Sequence, residues 1–293
     1  MENPLYDYSA IEHRPALELP GGARVAFWVG LNVEHYAFGR PALSLASFTA
    51  ELVPDPLNYG WRDYGPRVGI WRVMRILDEA GVPASAIVNS EVVERYPEIV
   101  AAGRERSWCW VGHGRNNSTW QVGMDEDAER AYVGEIVEQL HAATGSRPNG
   151  WLGPALTATM QTNDLLAELG FSYTLDWAND DQPYDMNVRS GRLLSVPYSS
   201  EVNDIPIFLL HHQSGEQFRQ AVIDQFDALH AEGAERPRVM GIGIHPFLIG
   251  QPFRARYLAE ALEHVTSKDD VWVTTSDAIA QWYTAATAGT VAR

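Results

Sequence analysis

The sequence predicts an α/β fold, a distorted (β/α) barrel of seven or eight strands. Apolar strand-like runs alternate with helical patterns along the chain, the mark of a mainly parallel sheet covered by helices. Three of those runs open directly onto titratable residues. Residues 24–31 lead to Glu34 and His35, residues 108–112 to His113, and residues 239–244 to His245. In alternating barrels the carboxyl ends of the strands carry the chemistry. The number of units favours a closed or nearly closed barrel over an open sheet. No glycine-rich dinucleotide loop follows any strand.

The elements follow in order. After the first strand comes a long loop, 37–65, rich in Pro, Gly, Tyr and Trp, and loops of that length are usually functional. A helix over 67–80 has Ile70, Val73, Met74 and Leu77 at helical spacing and ends at Gly81. A strand at 84–89, a short helix at 91–102 and the strand at 108–112 come next. Residues 125–144 read as a helix with acids at its start and Gly145 after its end. Strand regions at 150–153, 171–175 and 192–198 flank a helix at 163–169. Helix 218–232, strand 239–244, helix 254–265, strand 271–274 and a helix from Ser276, its expected N-cap, complete the chain.

Composition narrows the function. The chain has 293 residues, of which 45% are hydrophobic, enough for one large core. We read one catalytic domain, 1–293, with residues 1–20 as an N-terminal arm that has no obvious core partner. A net charge of −16 speaks against nucleic acid and anionic membranes, which call for basic patches. Cys109 is the single cysteine, so no intrachain disulfide forms; flanked by Trp108 and Trp110, it reads as an inert thiol. The start lacks a basic, then apolar, leader, and no apolar stretch approaches the ~20 residues of a membrane span. The expectation is a soluble cytoplasmic protein. Ten tryptophans and twelve tyrosines suit a pocket for a small, partly apolar ligand.

The candidate residues each carry two readings. Glu34 is a general base on water or a surface acid. His35 is a metal ligand, a partner orienting a base, or a loop residue. His113 lies between Gly112 and Gly114, which allow close backbone approach. Arg115 and Asn117 follow, able to bind carbonyl oxygens or a carboxylate, or merely forming a turn. In the segment from Asp176 to Tyr184, with Trp177, Asp180 and Asp181, either one carboxyl is perturbed or most are solvated. His245 is the best candidate for a general acid or base. His211 and His212, after the run from Ile207 to Leu210, read as a strand end or a packing element. No serine nucleophile elbow and no HExxH zinc motif occur.

At these residues the chain resembles the polysaccharide deacetylase (NodB-homology) superfamily, from about residue 22 to 283. Usual members have two aspartates after the first strand, a His-x3-His motif, an Arg-x-Pro motif, an Asp/Trp motif and a late histidine. The first aspartate is the base, the second holds a metal with the two histidines, and the late histidine is the acid. Here Glu34 takes the place of the base and His35 that of the metal aspartate. His113 matches the first motif histidine, but Asn117 replaces the second. Leu152 is near the expected arginine, ahead of Pro154. His245 matches the late histidine. The departures resemble the metal-independent allantoinases of the PuuE type and related cyclic imide hydrolases. The shared marks are Leu31-Asn32-Val33-Glu34, Gly112-His113-Gly114, Asp180-Asp181-Gln182-Pro183-Tyr184, and Val196-Pro197-Tyr198 followed by Asn203-Asp204.

The resemblance implies a hydrolase that cleaves a C–N bond of a small cyclic amide, ureide or imide. Allantoin, hydantoins, dihydropyrimidines and succinimide- or phthalimide-like rings all fit this reading. Glu34 deprotonates water and His245 protonates the departing nitrogen. His113, Arg115 and Asn117 bind the carbonyl oxygen or an anionic substituent. Trp177 and the 37–65 loop wall the ring, and Asp181 and Asn203 bond its N–H groups. No cofactor is expected. The alternative is a zinc-dependent carbohydrate or amide N-deacetylase, with His35 and His113 on the metal. A second alternative is a binding protein that has lost catalysis. The branch also implies a homo-oligomer, a tetramer.

Overall fold

β1 (Val25–Val33) is buried at all nine positions, so it reads as an apolar run interrupted only by Asn32, as strands covered on both faces do. It pairs with three other strands, more than any other strand of the sheet, and lies next to an edge strand. One edge pairs with β8 (Arg238–Ile244) over Val25–Leu31. The other edge is shared: β9 (Val271–Thr274) takes the first half and β2 (Ala84–Val88) the second. From β2 the sheet continues through β3 (Cys109–Gly112), β4 (Gly150–Trp151), β5 (Tyr173–Thr174) and β7 (Leu194–Ser195) to β6 (Tyr184–Asp185). Eight strands run parallel, and β6 alone is antiparallel. The computed structural model, which describes residues 3–288, thus shows a curled half-barrel of the expected class.

The short β6, with a half-buried and an exposed residue, carries no periodic signal that sequence reading could detect. The free edge of β8 is covered by irregular chain rather than by a further strand. Val239 N donates to Asp181 O at 2.8 Å, and Asn203 bridges to Gly243.

The helices are α1 (Pro56–Tyr64), α2 (Ile70–Ala80), α3 (Val92–Arg95), α4 (Pro97–Glu105), α5 (Glu126–Thr144), α6 (Thr162–Glu168), α7 (Gly215–Glu232), α8 (Pro252–Thr266) and α9 (Ser276–Thr287). Four expectations are corrected. The loop expected over 37–65 ends at Asp55, because α1, a π-helical turn (Gly65–Gly69) and α2 follow without a break. Asp55 caps α1 by accepting from Asn58 N, and Pro56 fits the first turn. Gly60, Gly65, Pro66 and Gly69 hid this helix in the sequence. Gly69 is required by packing: a Cβ there would lie 2.0 Å from Pro246 O, in the segment that follows β8. The helix expected over 91–102 divides at Pro97. The apolar run at 207–210 is a π-helical turn (Pro206–Leu210), not a strand. The N-cap of α9 is Thr275, whose hydroxyl accepts from Ala278 N, rather than Ser276.

The N-terminal arm finds its partner in its own chain. Asn187 N donates to Leu5 O at 2.8 Å, and Tyr6 packs edge-on against Trp177 and Tyr184. Arg14 makes a two-pronged ion pair with Asp180 at 2.8 and 2.5 Å. Burial pushes the Cys109 thiol up to about 12, in keeping with an inert thiol.

Candidate active site

The carboxyl ends of β1, β3, β4 and β8 converge on a cleft of about 640 Å³. Parallel register does this: Leu31 pairs with both Ala86 and Ile244, so the residues that follow β1 and β8 emerge side by side. β1 supplies Asn32 and, just beyond its end, Glu34 and Tyr36. β3 delivers His113, and β8 delivers His245. The segment after β7 brings Tyr198, Asn203 and Asp204. All eight are buried.

Glu34 is the hub. Its Oε1 lies 3.4 Å from His113 Nε2 and 3.5 Å from His245 Nε2. Its Oε2 accepts a 2.6 Å hydrogen bond from the Tyr36 hydroxyl. Burial works to raise the carboxyl's pKa, but the two imidazoles outweigh it and hold the group below the ordinary carboxylate range. Glu34 is therefore ionised, as a base must be.

His245 is gripped from behind. Its Nδ1 donates to Asp204 Oδ1 at 2.6 Å, and its backbone N donates to Oδ2 of the same carboxylate at 2.8 Å. Ile249 N adds a longer bond to Oδ2. Desolvation pulls the imidazole down, but Asp204 and then Glu34 raise it to about 10. The ring is an imidazolium whose Nε2–H points at Glu34. His113 Nδ1 donates to Leu152 O at 2.7 Å. A carbonyl can only accept, so Nδ1 carries the hydrogen. Its Nε2 is then a donor only when the ring is protonated.

Behind these groups lies a polar floor. Asn32 Nδ2 donates to Tyr198 Oη and Ile244 O, each at 3.2 Å, and Asn203 Nδ2 donates to the same Tyr198 oxygen at 3.1 Å. Arg62 is buried, donates to Leu43 O and rests over the Tyr36 ring, 5.0 Å from its centroid. Asn89 Nδ2 donates to Asn117 Oδ1 at 3.0 Å and fixes the orientation of that amide at the cleft wall.

Glu34, His113, His245, Asn117 and Asn203 thus meet in one cleft, as the sequence suggested. Three residues do not join them. Arg115 pairs with Glu135 at 2.6 Å on the surface. Trp177 packs against Tyr6 of the arm. Asp181 lines a separate hollow beside Met240 and Gly241, and its carbonyl serves the β8 edge. All three lie in irregular chain beyond a strand end, where no period fixes the direction of a side chain. Three residues that sequence reasoning gave no role to prove central: Tyr36, Asp204 and Tyr198. Asp204 was visible as the residue after Asn203, but nothing local linked it to His245. Asp204 Oδ1, at 2.6 Å, lies closer to the His245 ring than Glu34 Oε1 at 3.5 Å.

Comparison with known proteins places this arrangement. A curated protein of Schizosaccharomyces pombe, described as a putative polysaccharide deacetylase, is 32% identical over 242 residues, covering 76% of this chain and 75% of the relative. Residues 61–174 match the polysaccharide deacetylase family. The chain belongs to that family. Among solved structures, this family member superposes on a probable polysaccharide deacetylase from Pseudomonas aeruginosa PAO1 with a TM-score of 0.83 at 30% identity, covering 93% of this chain and 95% of the other. It also superposes on PuuE allantoinase with a TM-score of 0.84 at 29% identity, covering 96% and 98%. This deacetylase-family chain is a hydrolase of carbon–nitrogen bonds.

The family's divalent metal does not fit the residues present. His35, in the place of the usual metal aspartate, turns its ring to Tyr96 Oη at 2.9 Å and Glu91 at 3.5 Å. Its neighbours therefore differ from those of His113, and the alternative His35–His113 zinc pair is not assembled. Asn117 supplies an amide already bonded to Asn89 where a histidine is usual. Among the described residues no group of three His, Cys, Asp or Glu side chains is placed to hold a metal ion. Among them too, no helix is long and apolar enough to cross a membrane.

Proposed function

We propose that this family member opens a small cyclic amide, ureide or imide by attack of water. One observation carries the reading: a single ionised oxygen, Glu34 Oε1, faces two imidazoles, one of them held protonated by Asp204. Water bound beside Oε1 gives its proton to Glu34 as its oxygen adds to the ring carbonyl. The His245 Nε2 proton passes to the ring nitrogen as the C–N bond breaks, leaving a carboxylic acid and a free N–H. Glu34 then returns its proton to His245 across 3.5 Å, which resets both groups. General-base help of this kind is worth roughly 10²–10⁴ in rate. His113 and Asn117 border the position of the carbonyl oxygen. Asn203, rather than Asp181, faces the ring. The likeness to PuuE allantoinase over nearly the whole of both chains supports this substrate class.

A second reading is N-deacetylation, favoured by relatives described as deacetylases, one of them the peptidoglycan deacetylase of Helicobacter pylori. Turnover of a panel of cyclic imides, cyclic ureides and acetylated sugars separates the two. Ring opening by the wild type, with at least a ~10²-fold loss of kcat in Glu34→Gln and unchanged circular dichroism, is the expected result. Release of acetate with no ring opening would favour the second reading, and full activity in Glu34→Gln would remove the mechanism.

A further inference from the structure

Above its polar floor the cleft is apolar. Ala42 and Leu43 come from the loop before α1, Trp120 from the segment after β3, Leu156 from the turn after β4, Leu210 from the π-helical turn Pro206–Leu210 and Ile205 from just ahead of it. Trp120 and Leu210 expose 51% and 69% of their surface and, with Leu43, Leu156 and Ile205, line one cleft as a contiguous apolar rim. The turn that presents Leu156 is built at a cost: Ala155 and Leu156 both adopt positive φ, 56° and 53°, a conformation that side chains other than glycine rarely take.

Charge is arranged in the opposite sense. Among the described residues no lysine or arginine lines this cleft. The nearby cations are committed elsewhere: Arg62 to Leu43 O and the Tyr36 ring, Arg115 to Glu135, and Arg254 above the Phe208 and Phe253 rings. The floor holds two carboxylates, Glu34 and Asp204, against the single imidazolium of His245. The chain as a whole carries −16. A substrate carboxylate would enter with no partner and against the field. The cleft is also far larger than one five-membered ring, so the apolar space above the floor belongs to a substituent.

We infer that the ring opened here is uncharged and carries an apolar substituent, aryl or branched alkyl, and that Trp120 and Leu210 select it. This rests on the ring-opening reading above and adds the substituent class to it. Discrimination between apolar groups in such pockets runs to about 10-fold or more.

The test uses three matched rings: succinimide, 2-phenylsuccinimide and the carboxymethyl-substituted succinimide. The expected kcat/KM for the phenyl ring is at least about 10-fold above the parent, with the carboxymethyl ring below it. In Trp120→Ala and Leu210→Ala the phenyl-to-parent ratio falls toward one. Calorimetric binding to the wild type and to Glu34→Gln should give the same order. An anionic ring handled as well as the phenyl ring, a phenyl-to-parent ratio untouched by both substitutions, or no binding of any ring would overturn the inference. Binding in the expected order without opening of any ring would sustain the substituent class and sink the ring-opening reading.

Discussion

The Tyr36 hydroxyl donates a 2.6 Å hydrogen bond to Oε2 of Glu34 and leaves Oε1 of that carboxylate to face both histidines. The two residues are two apart in sequence, so both project from the same end of β1. Burial and then the Glu34 charge push the phenol well above its ordinary pKa, so Tyr36 remains a donor. Tyr36→Phe should raise the pKa of Glu34, because the bond favours the charged form. The acid limb of kcat/KM should move up by about one pH unit, the equivalent of ~1.4 kcal/mol. An acid limb that stays in place would show that Tyr36 does not govern Glu34.

Asp204 sets the alkaline limb. With His245 raised to about 10 by Asp204 and Glu34, activity should persist into alkaline solution and fall as His245 deprotonates. Asp204→Asn removes a negative charge beside the imidazolium, so the limb should move to lower pH. His245→Ala should abolish the limb, cut kcat strongly on ordinary rings and spare rings with an activated leaving nitrogen. Equal losses on both kinds of ring, with the limb intact, would assign the acid to another group, His113 first.

The same pair makes stability depend on pH. The folded pKa of His245 is raised above its ordinary 6.5. Its contribution is full below about 6.5 and is lost as pH rises through about 10. Glu34 is lowered, so its contribution is present above its ordinary 4.5 and is lost as pH falls toward its folded value. Tm should therefore decline between pH 6.5 and 10, and decline less in His245→Gln. Parallel Tm curves for the two proteins would contradict this.

Activity should survive exhaustive chelation. The motive is the donor set: His35 turned to Tyr96 and Glu91, and Asn117 where a histidine is usual. One tightly bound zinc per chain by elemental analysis, with activity lost on its removal and restored on its return, would defeat the expectation.

We also propose that the chain assembles as a homotetramer. The N-terminal arm packs on its own chain and is not the contact. Phe38, Phe48, Leu52 and Val53, exposed on the loop before α1, do argue for it. Light scattering at micromolar concentration should give four times the 32.6 kDa chain mass, and a monomer would refute the proposal.

The parallel sheet, and the strand ends that carry chemistry, can be read from the order of residues alone. Strands buried on both faces must be continuously apolar, and a polar residue directly after such a run has to emerge at the sheet's end. Glu34, His113 and His245 were legible for that reason. Which other residues join them depends on long-range packing. Asp204 reaches His245 from 41 positions away, a relation that no local pattern encodes. Arg115, Trp177 and Asp181 looked equivalent to Asn117 and Asn203 along the chain, yet they turn away from the cleft, because irregular segments have no period by which a side chain's direction can be read. The helix α1 was hidden for a related reason. Gly60 within it, and Gly65, Pro66 and Gly69 in the turn that follows, are helix breakers by propensity, and among them Gly69 is held by its close approach to Pro246.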